Sequence, residues 1–269
     1  MIREMTLGQY YKAQSLIHQL DPRVKLAGTL LFVITLFFPK SAGSLLIATV
    51  FLAGVVGLSK VPVSLIVRGV RPLFFIICFS AVIHLFQTEG HLLMKMGIFS
   101  ITQEGIWTSF YLVVRLVYLV AGSSVMTFTT TPNQLTDGLE KGFHFLKKVH
   151  VPVHEIAMMM SIALRFIPIL TEELDKIMKA QMSRGIDFES GGILERGKKL
   201  IPLFVPLFIA AIRRASDLAL AMDARCYHGG EGKTQLHPLK YQKRDYAAYG
   251  ILFLYVLLMG IVGFAKVIG

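Results

Sequence analysis

The stretch that decides the fold class is IWTSFYLVVRLVYLVAGSSVMTF, residues 106–128. It is apolar over a length close to the roughly 20 residues that a helix needs to cross a bilayer. The whole chain shares this character, because 54% of its 269 residues are hydrophobic, only 17% are charged and the mean hydropathy is +0.60. Such a composition is too apolar for a soluble domain. We therefore predict an all-α, polytopic membrane protein.

Four more apolar runs accompany this stretch: Leu26–Phe38, Leu45–Leu58, Pro72–Phe86 and Tyr246–Phe264. The first two are short for a bilayer. The turn at Pro39-Lys40-Ser41 joins them, and together with their flanking residues they predict a tight transmembrane hairpin. The sequence thus predicts about four transmembrane helices within residues 1–129 and one more within residues 244–269.

The cations predict the orientation of these helices. With the N-terminus inside, the inner segments 1–25, 59–71 and 129–245 hold four, three and seventeen Lys and Arg residues, respectively. The outer loops 39–43 and 87–105 hold one each. Because Lys and Arg concentrate on the cytoplasmic side of membrane proteins, we predict an outside C-terminus and a cytoplasmic location for residues 129–245. This topology in a cell membrane, with anionic lipid head groups nearby, explains the net charge of +11 better than nucleic acid does.

Residues 130–243 predict a helical domain at the cytoplasmic face. Thr131-Pro132-Asn133-Gln134 has the order of an N-cap, a first-turn proline and a capping-box partner, so we expect a helix from there to about Lys147-Lys148. The apolar runs Ile156–Leu170 and Leu200–Ile212 are shorter than a typical span. We interpret them as helices that enter the inner leaflet or pack beneath the bundle. A sixth and a seventh span would preserve the same topology.

One local pattern occurs twice in this domain, as AQMSRG at residues 180–185 and AMDARC at residues 221–226. Both copies read small-x-x-small-Arg-small, and both close a run with helical period. Each predicts a helix that ends with one Arg, Arg184 or Arg225, flanked by side chains too small to shield it. Such an Arg can enter a groove on a partner as a planar fork of five donors. The alternative is an Arg that stabilises the carbonyl end of its own helix, but the duplication favours a partner.

Two ionisable residues lie inside apolar runs, Arg115 and His84. An ionisable group within a membrane is costly, so it normally faces protein or water and has a partner. As a functional site, these residues would bind a substrate or carry protons. As structural groups, they would make interhelical contacts that hold the bundle together. We favour the structural interpretation, because a proton-driven carrier normally needs carboxylates in its spans and these runs contain none.

The remaining motifs predict no chemistry on a substrate. Cys78 and Cys226 form neither a disulfide framework nor a metal-binding spacing. Residues 229–234, GGEGKT, resemble half of a phosphate-binding loop, but Tyr227 stands where the first glycine is required. We interpret them as a solvated linker. Without paired acids, a Ser/His/Asp grouping or a metal site, we expect a protein that is not an enzyme and binds no cofactor or metal itself.

Four segments resemble a known family, the transmembrane T components of energy-coupling factor (ECF) transporters. They are SLIHQLDPRVKL at residues 15–26, TTP followed by LTDGLE within residues 130–140, ALRFIP at residues 163–168 and LALAMDAR at residues 218–225. The resemblance covers essentially the whole chain and is strongest over residues 130–227. In that family, two cytoplasmic coupling helices end in Ala-Arg-Gly motifs, and each docks on one of two ATPase subunits. By position, the corresponding residues are Ser183, Arg184 and Gly185, with Ser for Ala, and Ala224, Arg225 and Cys226, with Cys for Gly.

The resemblance implies a complex of this chain with two ATP-binding subunits of ABC type and an interchangeable membrane substrate-binding (S) subunit. The complex would import vitamins or related micronutrients, and only the partner subunits would use ATP. Residues 130–243 would then be a coupling domain, with the apolar faces of residues 135–170 and 200–212 gripping the S subunit. Two alternatives stay open: a self-sufficient secondary carrier with Arg115 as its substrate site, and a permease that binds its own substrate while using ATPases.

Overall fold

The structure is a computed structural model that describes residues 10–37, 41–88, 91–96, 99–143, 151–188, 190, 192–229 and 239–268. Over these residues the helices are α1 (Pro22–Thr35), α2 (Ala42–Ser59), α3 (Val63–Val70), α4 (Phe74–Gln87), α5 (Gln103–Thr129), α6 (Pro132–Gly142), α7 (Val153–Ser183), α8 (Ile193–Ala224) and α9 (Lys243–Ile268). Two short strands, β1 (Leu92–Met96) and β2 (Phe99–Thr102), pair antiparallel in the predicted outer loop. The predicted all-α, polytopic architecture is confirmed, and this hairpin is a local addition to it.

Five helical segments are long and apolar enough to cross a membrane: α2, Val63–Gln87, α5, α7 and residues Lys243–Gly263 of α9. The sequence also predicts five spans, but the membership differs. The helix α1 has 14 residues, which is about 21 Å of rise against a hydrocarbon thickness of about 30 Å. The helix α7 has 31 residues, so it reaches the required length although the apolar run within it is shorter.

Three long helical segments continue through prolines. The segment of residues 59–71 is largely helical, because α3 continues through a single 3-10 turn at Arg71–Leu73 into α4. Similarly, α7 runs through Pro168 and α8 runs through Pro202 and Pro206. A proline removes one intrahelical hydrogen bond and kinks the helix, but the turns on either side keep their own bonds. The apolar runs and the Arg-ended segments are therefore parts of the same two long helices.

Contacts divide the chain into two units, Met1–Gly138 with Leu239–Gly269 and Leu139–Pro238. The divisions that the sequence suggests, after residues 129 and 243, remain predictions. In the first unit, the core lies where α1, α2, α5 and α9 meet and buries Phe32, Leu52 and Phe128. Hydroxyl pairs join these helices: Thr35 with Tyr255 at 2.8 Å, Ser44 with Tyr111 at 2.7 Å and Thr49 with Tyr118 at 2.6 Å. Such pairs satisfy polar groups where lipid offers no partner.

The first turns of α1 and α9 are tied together by two carboxylates. Asp21 is the N-cap of α1 and accepts hydrogen bonds from the backbone amide and the guanidinium of Arg23, each at 2.9 Å. Asp245, only 2% exposed, accepts the Asp21 N–H at 2.9 Å through Oδ1 and the Gln242 N–H at 2.7 Å through Oδ2. The Arg23 guanidinium also lies 3.9 Å from the ring centroid of Tyr241. The Asp-Pro-Arg segment therefore has a structural role at this end of the bundle.

Lys25 extends this polar cluster to the end of α5. It precedes the apolar run that starts at Leu26, and its Nζ donates to the carbonyl oxygens of His18 at 3.1 Å and Thr129 at 2.8 Å. The amine thus joins the N-terminal segment to the residues just before α6.

The helix α6 begins with the predicted capping box. The Thr131 N–H donates to Gln134 Oε1 at 3.2 Å, and the Gln134 N–H donates to Thr131 Oγ1 at 3.3 Å. The described part of this helix ends at Gly142. The expected end near Lys147-Lys148 lies outside the described residues, as does the predicted linker after Gly229.

Candidate docking site: two arginine-ended helices

Both Arg residues of the repeated pattern are the C-cap residues of their helices. Arg184 directly follows α7, and Arg225 directly follows α8. Each cap is closed by two backbone hydrogen bonds: Ile186 N–H to Gln181 O at 3.1 Å and Gly185 N–H to Met182 O at 2.9 Å in the first copy, and Tyr227 N–H to Met222 O at 3.0 Å and Cys226 N–H to Asp223 O at 2.9 Å in the second. These are the paired bonds of a Schellman motif. The two copies therefore share backbone geometry as well as sequence.

The residue after each Arg occupies the left-handed position of its cap. Gly185 has φ +88° and Cys226 has φ +56°. A Cβ added to Gly185 would meet nothing within 4 Å, so the backbone conformation, not the available space, favours glycine there. Cys226 adopts the same conformation with a Cβ, which costs about 1 kcal/mol. The replacement of Gly by Cys in the second copy thus preserves the cap.

The two guanidinium groups are available to a partner. Arg184 and Arg225 are exposed, and neither side chain forms a hydrogen bond or ion pair with the part of the chain that the structure describes. Ser183 and Ala224, which precede them, are exposed and small. An Arg that served its own helix end would bond to the last-turn carbonyls. Each fork of donors is instead exposed and has no acceptor among the described residues.

The helices α7 and α8 pack as an antiparallel pair. Gln181 Nε2, near the end of α7, donates to the Pro202 carbonyl near the start of α8 at 3.3 Å. Farther along, Arg214 of α8 bonds to Glu173 of α7 at 3.5 Å. The two C-cap Arg residues therefore lie at opposite ends of the pair. Arg184 lies about three helical turns after Glu173, and Arg225 lies about three turns after Arg214. At a rise of 1.5 Å per residue, the two C-cap Arg residues are therefore about 30 Å apart along the helix pair.

Comparison with known proteins shows which family of proteins this chain resembles along its length. The family model described as cobalt transport protein, CbiQ, matches residues 13–236. Relatives named energy-coupling factor transporter transmembrane protein EcfT are similar along nearly the whole chain. The Acidaminococcus fermentans protein is 49% identical over 260 residues, which is 96% of this chain and 97% of the relative. The Bacillus subtilis protein is 44% identical over 246 residues, which is 91% of this chain and 93% of the relative.

This chain belongs to the EcfT family of transporter transmembrane proteins. The resemblance that the sequence motifs indicate is thereby confirmed. The assignment of docking to Ser183, Arg184 and Gly185 and to Ala224, Arg225 and Cys226 stays a prediction, to which the structure adds the matching caps and the exposure of both Arg residues.

Arg115 of this EcfT-family chain lines a small space between helices. Its Nε is buried and has no hydrogen-bond partner among the described residues, and the guanidinium carbon lies 5.5 Å from the ring centroid of Phe37. A cavity of about 20 Å³ beside it is lined by Ser44, Tyr111 and other residues. That volume holds about one water molecule. His84 is half-buried on α4, and among the described residues no hydrogen bond or ion pair joins it to Arg115.

Two residues that join helices of this EcfT-family fold were not predicted from the sequence. Gln181 joins α7 to α8, and Asp245 joins α9 to α1. Asp245 carries a local signal, since an acid three residues after an N-cap often bonds back to the cap amide. The signal for Gln181 lies in another helix, in the spacing of Pro202 and Pro206. Among the described residues no cluster of His, Cys, Asp or Glu could hold a metal ion.

Proposed function

We propose that this chain is the coupling subunit of an ECF-type ABC importer in the cell membrane. It transmits ATP hydrolysis by two partner ATPase subunits of ABC type to a membrane substrate-binding S subunit that holds a vitamin or related micronutrient. The chain itself binds no cofactor and catalyses no reaction. The observation that carries this proposal is the pair of exposed Arg residues on matching caps. The relatives' name, energy-coupling factor transporter transmembrane protein, supports a place in such a complex.

Two docking points at opposite ends of one helix pair suit two motor subunits. The Arg184 and Arg225 ends are about 30 Å apart along the pair, from the helical rise, so each can bind a different ATPase subunit. When ATP draws the ATPase subunits together, the two ends move with them. Because α7 and α8 are stiff and contact each other at both tie points, the movement reaches the apolar halves of both helices.

The apolar halves of α7 and α8 support the proposed grip on the S subunit. The helix α8 is not among the candidate membrane spans, yet these large apolar side chains are exposed on it: Leu200, Ile201, Phe204, Val205, Phe208, Ile209 and Ile212. An exposed patch of this kind marks an interaction surface. On α7, Met159 and Met160 are also exposed, and Met adapts to different partners. This suits a subunit that serves interchangeable S subunits.

The more enclosed cavities of the described residues are small for a carrier's cargo, and the two larger spaces, of about 380 and 550 Å³, are open grooves at the surface. The space beside Arg115 is about 20 Å³. A second cavity, of about 150 Å³, lies among α1, α2, α5 and α9 and is almost entirely apolar. Ligand pockets usually measure about 300–1,000 Å³. The polar groups that line the second cavity include Lys25, whose amine already donates to two carbonyls. The chain is thus better suited to moving a partner than to binding a micronutrient.

The test is reconstitution with both ATPase subunits and an S subunit after Arg184→Ala, Arg225→Ala or both. Removing one partner of a buried charge pair costs about 2–5 kcal/mol, so each single variant should weaken ATPase binding by about 30-fold or more. The double variant should neither assemble nor transport. Lys176→Ala on α7 and Arg213→Ala on α8 remove the same charge from exposed positions of the same helices, and both should behave as the wild type.

Normal assembly and uptake with the double variant would rule out the docking role of both Arg residues. Uptake by this chain alone in proteoliposomes without ATP would instead establish the carrier. Crosslinking of substrate to this chain rather than to the S subunit would establish a permease that binds its own cargo.

A further inference from the structure

The two prolines of α8 leave two backbone carbonyls, those of Lys198 and Pro202, without their usual donors. In an α-helix each carbonyl accepts a hydrogen bond from the amide four residues later. For the Pro202 carbonyl that residue is Pro206, which has no N–H. A buried carbonyl without a donor is costly. The structure supplies the donor from the neighbouring helix, since Gln181 Nε2 lies 3.3 Å from the Pro202 oxygen.

Gln181 is at the same time part of the cap that presents Arg184. Its backbone carbonyl accepts the Ile186 N–H at 3.1 Å, which is the long bond of that Schellman motif. Its side chain is 8% exposed and points to α8. One residue therefore joins the Arg184 cap, through its backbone, to the partner helix, through its side chain. The equivalent residue in the second copy is Met222, which has no donor to offer.

We propose that Gln181 is a positioning residue that holds the Arg184 end of α7 against α8 by donating to the carbonyl that Pro206 leaves open. The docking consequence rests on the proposed function, but the tie itself does not. With the donor present, the spacing of the two Arg ends has one value. Without it, the last turn of α7 separates from α8 and the spacing varies, so the two ends no longer match two ATPase subunits at once.

Four variants separate the tie from general damage. Gln181→Met introduces the residue of the second copy, which is similar in length and cannot donate. Gln181→Glu keeps the shape but, when ionised, offers acceptors only. Met182→Leu changes the exposed neighbour and is the matched control. Pro206→Ala restores the amide that the Pro202 carbonyl lacks, so the carbonyl no longer depends on Gln181.

The first readout needs no partner. Nitroxide labels are attached to cysteines introduced by Lys179→Cys on α7 and Leu220→Cys on α8, after removal of the native thiols by Cys78→Ser and Cys226→Gly. The two labelled positions are about 20 Å apart along the helix axes. Pulsed electron–electron double resonance should give a narrow distance distribution for the control. Gln181→Met and Gln181→Glu should each broaden this distribution, both in the chain that keeps Pro206 and in the Pro206→Ala chain. An unchanged distribution in both Gln181 variants overturns the proposal.

The second readout is thermal stability in detergent. Gln181→Met should lower the melting midpoint by several degrees in the chain with Pro206, because it leaves the Pro202 carbonyl without a donor. In the Pro206→Ala chain the same substitution should have little effect. Equal losses in the two backgrounds would mean that Gln181 does not serve this carbonyl, and the proposal would be wrong.

The third readout is the affinity of unlabelled protein for the ATPase subunits. It should fall about tenfold with Gln181→Met, the equivalent of one hydrogen bond at 1.4 kcal/mol. The affinity should stay low when Gln181→Met is combined with Pro206→Ala, because the Pro202 carbonyl then has a donor again but Gln181 no longer joins α7 to α8. Recovery of binding together with stability would reduce Gln181 to a structural residue. Loss of binding with Arg184→Ala but not with Gln181→Met also overturns the positioning role, whereas no loss with either refutes the docking function itself.

Discussion

Asp245→Ala is expected to detach the start of α9 from the start of α1. The carboxylate is 2% exposed and accepts two backbone amides, those of Asp21 at 2.9 Å and Gln242 at 2.7 Å. The contact with Asp21 joins residues 224 positions apart. Asp21 is itself buried, so water cannot replace the lost acceptor there, whereas Gln242 is exposed and its amide can bond to solvent.

The size of the effect follows from this difference. A buried amide without an acceptor costs about 1–3 kcal/mol, and the loss of a helix cap costs about 1 kcal/mol. Asp245→Ala should therefore lower the free energy of unfolding by about 2–4 kcal/mol. Asp245→Asn keeps one oxygen for one amide but turns an NH₂ group toward the other, so its loss should be about half as large.

Thermal unfolding in detergent, followed by size-exclusion chromatography with fluorescence detection, measures this difference. At about 2–4 °C per kcal/mol for a chain of this size, the midpoint of Asp245→Ala should fall by about 5–10 °C. Asp217→Ala, which removes an exposed carboxylate on α8, is the control and should leave it unchanged. A midpoint for Asp245→Ala within about 1 °C of the wild type, or a larger loss for Asp245→Asn, refutes the reasoning.

Three further predictions concern the caps, the buried lysine and the topology. Cys226→Gly should raise the free energy of unfolding by about 1 kcal/mol, because glycine adopts the left-handed conformation without a Cβ penalty. Gly185→Ala should lower it by a similar amount. Thermal melts in which Cys226→Gly is less stable than the wild type, or Gly185→Ala more stable, would contradict the cap geometry. Lys25→Met removes the donor to the His18 and Thr129 carbonyls and should lower the free energy of unfolding by about 1–3 kcal/mol; an unchanged melting midpoint would contradict this. In a Cys78→Ser chain the remaining thiol, Cys226, is exposed. A membrane-impermeant maleimide should label it in inside-out vesicles but not in intact cells, and bound ATPase subunits should protect it.

Signals confined to a few neighbouring residues were sufficient for much of the structure. The Thr131–Gln134 capping box and the two Arg-ended helices could be predicted because each is encoded within six residues. The membrane class followed from composition alone. Even the departure from glycine at Cys226 did not change the cap, because the backbone hydrogen bonds of the motif do not involve that side chain.

Features that depend on a second helix could not be predicted. The pattern around Gln181 gives no indication that its side chain meets a carbonyl of α8, since that contact requires the antiparallel packing to be known. The lengths of α7 and α8 could not be predicted either, because the apolar runs within them are shorter than the helices. Pro206 removes one intrahelical amide, yet α8 continues through it, since the turns on either side keep their own hydrogen bonds.

Charge distinguishes the spans predicted from the sequence from the candidate spans chosen by helix length and composition. If α7 crossed the membrane in place of the short α1, the segment with Lys60, Arg68 and Arg71 would lie outside the cell. If both crossed, the segment after Arg184, with Lys198 and Lys199, would lie outside instead. Both arrangements oppose the cytoplasmic preference of Lys and Arg. A short α1 requires local thinning of the bilayer, which costs only fractions of a kcal/mol per Å. Charge therefore favours a crossing α1 and an internal α7, and this arrangement agrees with the proposal that both Arg ends lie on the cytoplasmic side.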